Sequence, residues 1–112
     1  MYQFIREMNQ RGQADSEEVF RLFPHLPTTS GLWMSIQCSQ FHYCYPRETL
    51  KDLKQYQAFE VALFGKSKRK IQNQLASFSR IEELGDLSGE LIFPYVSKDL
   101  VEALYRYLNP SA

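Results

Sequence analysis

The chain has only two cysteines, one tryptophan, five glycines and five prolines among 112 residues. Cys38 and Cys44 are too few for a disulfide framework, so a reducing compartment with both thiols free is expected. No apolar run approaches the roughly 18 to 20 residues that a membrane span requires. The opening Met1-Tyr2-Gln3-Phe4-Ile5-Arg6-Glu7 reaches charge too early for a secretory signal peptide. An excess of one charge is also missing: 13 basic residues balance 13 acidic ones, and the isoelectric point is near 6.7. That balance disfavours a histone-like nucleic-acid binder and a strongly acidic nucleic-acid mimic alike. Repeats, low-complexity stretches and linkers are absent too, and residues 1–112 read as a single globular domain.

What is present is apolar and rich in rings. Hydrophobic residues make up 44% of the chain, and eight Phe and seven Tyr accompany the single Trp33, so rings are expected to fill much of the core. A domain of this size buries roughly two-thirds of its unfolded surface, enough for one core without metal or disulfide staples.

Residues 1–30 read as a helical arm. Phe4, Ile5 and Met8 share one face of a first helix that Gly12 stops. A second helix is expected from Asp15 or Ser16, with Asp15 and Glu18 as a capping box, Val19, Phe20, Leu22 and Phe23 as its apolar side, and Pro24 as its end. Pro27-Thr28-Thr29-Ser30-Gly31 has the chemistry of a turn. From Leu32 the period becomes two, with Leu32, Met34, Ile36 and Cys38 on one strand face and Trp33, Ser35, Gln37 and Ser39 on the other. Phe41-His42-Tyr43-Cys44-Tyr45 either prolongs that strand or bends away from it, and Pro46 closes the segment. Residues 56–64 form a second strand closed by Gly65, after a polar hairpin connection over 47–55. Ile71, Leu75 and Phe78 predict a helix over 67–78, weakened by Ser67, Ser77 and Ser79. Residues 90–93 form a short strand that enters Pro94-Tyr95-Val96; because Pro94 lacks a ladder donor, the strand either lies at an edge or ends there. Ser97 caps a last helix with Leu100, Val101, Leu104 and Leu108 as its stripe, ended by Asn109-Pro110. The expected class is α+β: a small three-stranded antiparallel sheet packed against N-terminal and C-terminal helices.

Three constellations are candidates for function. Cys38, His42 and Cys44, with His25, hold the right elements for a Cys₂His₂ zinc site. In an extended chain, however, the two cysteines lie roughly 20 Å apart, at about 3.3 Å per residue, and only a tight turn near Gln40 would rescue the site. His42 and Cys44 share strand parity and resemble a nucleophile pair, but no third orienting residue or oxyanion loop accompanies them. The bland alternative, two buried thiols and a hydrogen-bonded histidine, is the commoner outcome. No metal and no cofactor is therefore assigned.

The second constellation is Lys66-Ser67-Lys68-Arg69-Lys70. Residues 66–80 hold five basic groups and no acid, whereas residues 82–102 hold six acids and only Lys98, so charge is segregated although the total is zero. Such a cluster is ordinarily a solvated loop; alternatively it docks on an anionic partner. It is not a phosphate loop, for the upstream glycine is missing. The third is Phe41, Tyr43 and Tyr45, followed by Pro46 and Arg47. Their common parity, shared with Trp33, suits a stacking platform, but packing in the core explains the same pattern and is more frequent.

The runs Ser35-Ile36-Gln37-Cys38-Ser39, His42-Tyr43-Cys44, Pro46-Arg47, Phe59-Glu60-Val61 and Phe93-Pro94-Tyr95-Val96 together resemble a pattern in small uncharacterised bacterial and phage proteins. The resemblance covers roughly residues 33–108; the N-terminal arm and the basic stretch depart from it. It implies the cytoplasm of a bacterial host cell, a setting in which small proteins often work by binding. The expectation is a non-enzymatic protein of phage or mobile-element type that binds a host protein or ribonucleoprotein complex, as a monomer or homodimer and away from membranes. Inhibition of an RNA-guided defence nuclease, as by an anti-CRISPR protein, is one version. Lys66, Lys68, Arg69, Lys70, Arg47, Tyr43 and Tyr45 are the expected partner-binding residues, with direct nucleic-acid contact the less favoured mode. The competing expectation is a small metalloprotein or Cys/His enzyme centred on His42 and Cys44.

Overall fold

The computed structural model describes residues 2–14 and 20–110. The second helix start expected at Asp15 or Ser16, its capping box and Val19 lie outside the described residues. The architecture is α+β, but the antiparallel sheet has four strands rather than three. They are β1 (Leu26–Pro27), β2 (Trp33–Gln37), β3 (Ala58–Phe64) and β4 (Ile92–Ser97), adjacent in chain order as a meander. The helices are α1 (Gln3–Arg11), α2 (Lys68–Leu75), the single turn α3 (Ile81–Leu84) and α4 (Lys98–Leu108).

The added strand β1 falls inside the arm that reads as helical. Leu26 pairs with Met34 and Pro27 with Trp33, and two residues are too few to display a period of two. Residues 20–23, expected as the end of a helix that Pro24 stops, are not helical. They are held instead by tertiary contacts. Gln37 presents its side-chain amide to the Phe23 backbone, accepting from Phe23 N–H at 2.8 Å and donating to Phe23 C=O at 2.9 Å. It thus supplies the two bonds that a strand neighbour would have made.

The periodic elements form where their apolar residues can meet. Met34 and Ile36 of β2, Phe59, Val61 and Leu63 of β3, and Phe93 and Val96 of β4 are buried on the inner face of the sheet. α4 packs on β3 and β4, and α1 packs on α4. Phe4 meets Phe59 edge-on with ring centroids 5.2 Å apart. Glu102, nearly buried on α4, accepts the Phe4 N–H in the first turn of α1 at 3.2 Å and pairs with Arg106 at 2.6 Å. A carboxylate is thereby set at the positive end of the α1 dipole. Ser97 caps α4 by accepting the Leu100 N–H, as the sequence suggests. Ser67 also caps: its hydroxyl accepts the Lys70 N–H, so it starts α2 at Lys68 rather than weakening it, and the helix ends at Leu75, short of 78.

β4 is an edge strand, one of the two outcomes that Pro94 allows, and it spans Ile92–Ser97 rather than 90–93, running through Pro94 instead of ending there. A bulge sets Pro94 and Tyr95 against Glu60, since Phe59 pairs with Val96 and Val61 with Phe93. Tyr95 has a φ of 52°, the left-handed region that a non-glycine residue enters at a cost of roughly 1–2 kcal/mol.

The buried side chain of Arg21, 3% exposed, ties these parts together. Nη1 donates to Ala14 C=O and Leu50 C=O, each at 2.7 Å. Nη2 donates to Cys38 C=O at 2.8 Å and to the Tyr56 hydroxyl at 3.1 Å. The Tyr56 hydroxyl accepts the Leu50 N–H as well and donates to Glu48 C=O. One planar cation therefore joins the chain after α1, the end of β2 and the long β2–β3 connection. Replacing Arg21 with Met leaves these buried acceptors unmatched, and Lys lacks the fork that spans them. Arg21→Met and Arg21→Lys should each lower unfolding free energy by about 3 kcal/mol. Urea denaturation is the measurement; a loss below about 1 kcal/mol would show that water satisfies those groups instead.

Candidate functional site

After Gln37 the chain leaves β2, turns at Ser39–His42, and rejoins the sheet at Tyr45, which bridges Ala58. Residues 38–44 cross the outer face of β3 on the way. The Tyr43 N–H donates to Glu60 Oε2 at 3.2 Å, and the Tyr43 C=O accepts the N–H of the bulged Tyr95 at 2.9 Å. Arg47 Nε donates to Gln40 C=O, and Thr49 Oγ1 accepts the Gln40 N–H, so the loop is closed at its tip.

This detour overturns the core-packing expectation for the ring-rich segment. Phe41 and Tyr43 are half exposed and Tyr45 is 63% exposed, because residues that leave the strand lose the burial that its parity would impose. The Tyr43 and Tyr95 rings lie 5.9 Å apart, and the Arg47 guanidinium stands 5.0 Å above the Tyr43 ring. Tyr95 belongs to this cluster although no sequence signal marked it. The bulge that aims it has no signature beyond Pro94.

The same turn near Gln40 draws Cys38 and Cys44 into one buried region, but not into a metal site. Among the described residues no three His, Cys, Asp or Glu side chains gather as metal ligands. His42 is nearly buried, its Nδ1 shares a 2.7 Å hydrogen bond with Ser39 Oγ, and its ring faces Phe20. His25 lies elsewhere, stacked on Phe64. Burial pushes the Cys38 thiol up to about 12, against the opposing pull of Arg21, and raises Cys44 as well. The Cys44 thiol donates to Ser39 C=O. A protonated thiol that is already donating is a poor nucleophile.

The structure separates the expected partner-binding residues into two sets. Tyr43, Tyr45 and Arg47 lie at the Ala58 end of β3, whereas Lys66 to Lys70 follow Phe64 at the other end. Along β3 those ends are about 20 Å apart, at ~3.3 Å per residue. Lys66, Lys68, Arg69 and Lys70 are all exposed. Lys66 Nζ donates to Ser30 C=O, and Lys68 Nζ to Ser88 C=O. The side chains of Arg69 and Lys70 make no hydrogen bond or ion pair among the described residues. All three cations of the first α2 turn stand at the helix end that ordinarily favours acids.

Burial lowers the His42 pKa below its ordinary value near 6.5. The unfolded chain then binds a proton that the folded chain refuses, so stability is complete above about pH 6.5 and falls as pH drops below it. His42→Gln should flatten the decline between about pH 6.5 and 5 in urea melts. Iodoacetamide should leave both cysteines unlabelled in the native protein and modify both in denaturant. Rapid native labelling of Cys44 would restore the nucleophile reading.

No family model, curated protein or solved structure matches the chain, so the functional reading rests on the chemistry of these surfaces.

Proposed function

We propose that this is a non-catalytic binding protein whose partner is a host macromolecule, engaged through the Tyr43–Tyr95 end of the sheet. One observation carries the reading. Tyr43, Tyr45, Tyr95 and Arg47 are exposed together, while main-chain bonds on both sides of Tyr43 hold the loop in place. Tyr and Arg are the residue types that dominate binding energy at protein interfaces, and a locked loop has little ordering entropy left to lose. The backbone strain at Tyr95 is retained where it aims a ring outward, as at many ligand clamps. The phage or mobile-element setting, and a defence complex as target, rest on the resemblance alone.

The enzyme alternative has less support, because the thiols and His42 are buried, hydrogen-bonded and shifted away from activation.

Affinity capture from bacterial lysate, followed by titration of the recovered partner, tests the proposal. Tyr43→Ala and Arg47→Ala should each weaken that partner's binding by roughly 30-fold, the scale of interface hot spots. Tyr95→Gly should separate fold from function. Relief of the left-handed strain offsets the extra unfolded-state freedom, leaving stability within about 1 kcal/mol of the parent, while binding falls. A preparation that recovers no saturable partner and displays turnover would sink the proposal.

A further inference from the structure

The opposite end of the outer sheet face has a different chemistry. Trp33 of β2 and Phe64 of β3 are direct cross-strand partners, 44% and 42% exposed. Ile92 of β4, paired with Ala62, is also exposed beside them. His25 stacks on Phe64 with centroids 4.9 Å apart and planes 9° from parallel. Gly65 permits this arrangement, because a Cβ there would lie 2.9 Å from Trp33 Cδ1 and its φ is +103°. Trp33 therefore packs closely against the Gly65 backbone while remaining 44% exposed.

A groove of about 340 Å³ lies beside these rings, with Phe64, Ile92, Lys66 and Lys68 among the residues that line it. Arg69 and Lys70 continue the positive charge along the first turn of α2. Glu90 is the acid that also lines the groove. Asp86, near Lys68, is already occupied by the N–H and hydroxyl of Ser88.

We infer that this end binds a short single-stranded nucleic acid, bases on Trp33 and Phe64 and phosphates along Lys66, Arg69 and Lys70. Charge complementarity selects the occupant. Rings flanked on one side by cations match a polymer whose flat bases and anionic backbone alternate, and base stacking tolerates any sequence. A duplex hides its base faces, and an acidic peptide offers charge with nothing to stack. The surface is distinct from the Tyr43 end, so a ribonucleoprotein would engage both.

Fluorescence anisotropy with labelled oligo(dT) and oligo(U) of about 15 nucleotides tests the inference, a length within the range such surfaces cover. Saturable binding is expected, weakening between about 50 and 200 mM salt with roughly 0.7 in the log-log slope per phosphate contact. Arg69→Ser with Lys70→Ser should reduce that slope by about 1.4, two contacts' worth, and neither side chain holds the fold together. Trp33→Ala and Phe64→Ala should each weaken binding about tenfold with the slope unchanged. Glu90→Gln should tighten it, and Tyr43→Ala should have no effect, which keeps this result separate from the proposed partner site. Urea melts verify that each variant is folded; for a ring variant that is not, the Arg69/Lys70 pair decides. The inference is overturned by absence of saturable binding, by equal affinity for duplex of the same length, by ring variants that bind normally, or by polyglutamate competing as well as oligo(dT).

Discussion

The guanidinium of Arg21 is the constraint on which the rest of the outer layer depends. Four of its N–H bonds end on oxygens from three separate stretches of chain, and its central carbon lies 4.9 Å from the centroid of the Phe23 ring. Its two terminal nitrogens are met by these oxygens while the buried Nε has no partner among the described residues, so each of those stretches is held to a position set by the Nη1–Nη2 fork. Cys38 is one of them, and it begins the loop that carries Tyr43. Leu50 and Tyr56 lie in the connection that returns to β3. The exposed rings are thus supported from beneath by a polar junction rather than by hydrophobic packing alone.

The sheet itself is two-faced. Its inner face is covered by α1 and α4 and shares one apolar core with α2. Its outer face is crossed by the 38–44 loop at the Ala58 end of β3, Ser35, Gln37 and Ala62 are buried near its middle, and rings are left at either end. The Tyr43 end combines tyrosines with one arginine. The Trp33 end combines exposed rings with several cations. Edge pairing along β4 is discouraged by Pro94 and by the bulge, whose Tyr95 N–H is already given to Tyr43.

Much of the fold was legible as periodicity. The faces of α1, α4, β2 and β3 follow directly from spacing, because a helix or strand that meets the core must repeat its apolar residues at its own period. β1 was hidden by its two-residue length. Ser67 read as a weakness until its position as a cap was known. The sites were less legible. Parity correctly placed Trp33 on the outer face, but for Phe41, Tyr43 and Tyr45 it left two outcomes, a prolonged strand or a bend, and the chain bends away after Gln37. Arg21 gave no signal at all, since a lone arginine between Phe20 and Leu22 resembles any solvated charge.

The amino-acid sequence by itself determined the class of the fold, the apolar stripes, the caps at Ser97 and the segregation of charge, all properties of near neighbours along the chain. Only the tertiary structure decided that Arg21 is buried, that the 38–44 loop crosses β3, and that Tyr43 meets Tyr95 while the lysines stand at the other end. Those outcomes depend on hydrogen bonds between residues 17 to 52 positions apart, among them Arg21 with Cys38 and Tyr43 with Tyr95. No local period records such bonds, because their partners become neighbours only when the whole chain closes.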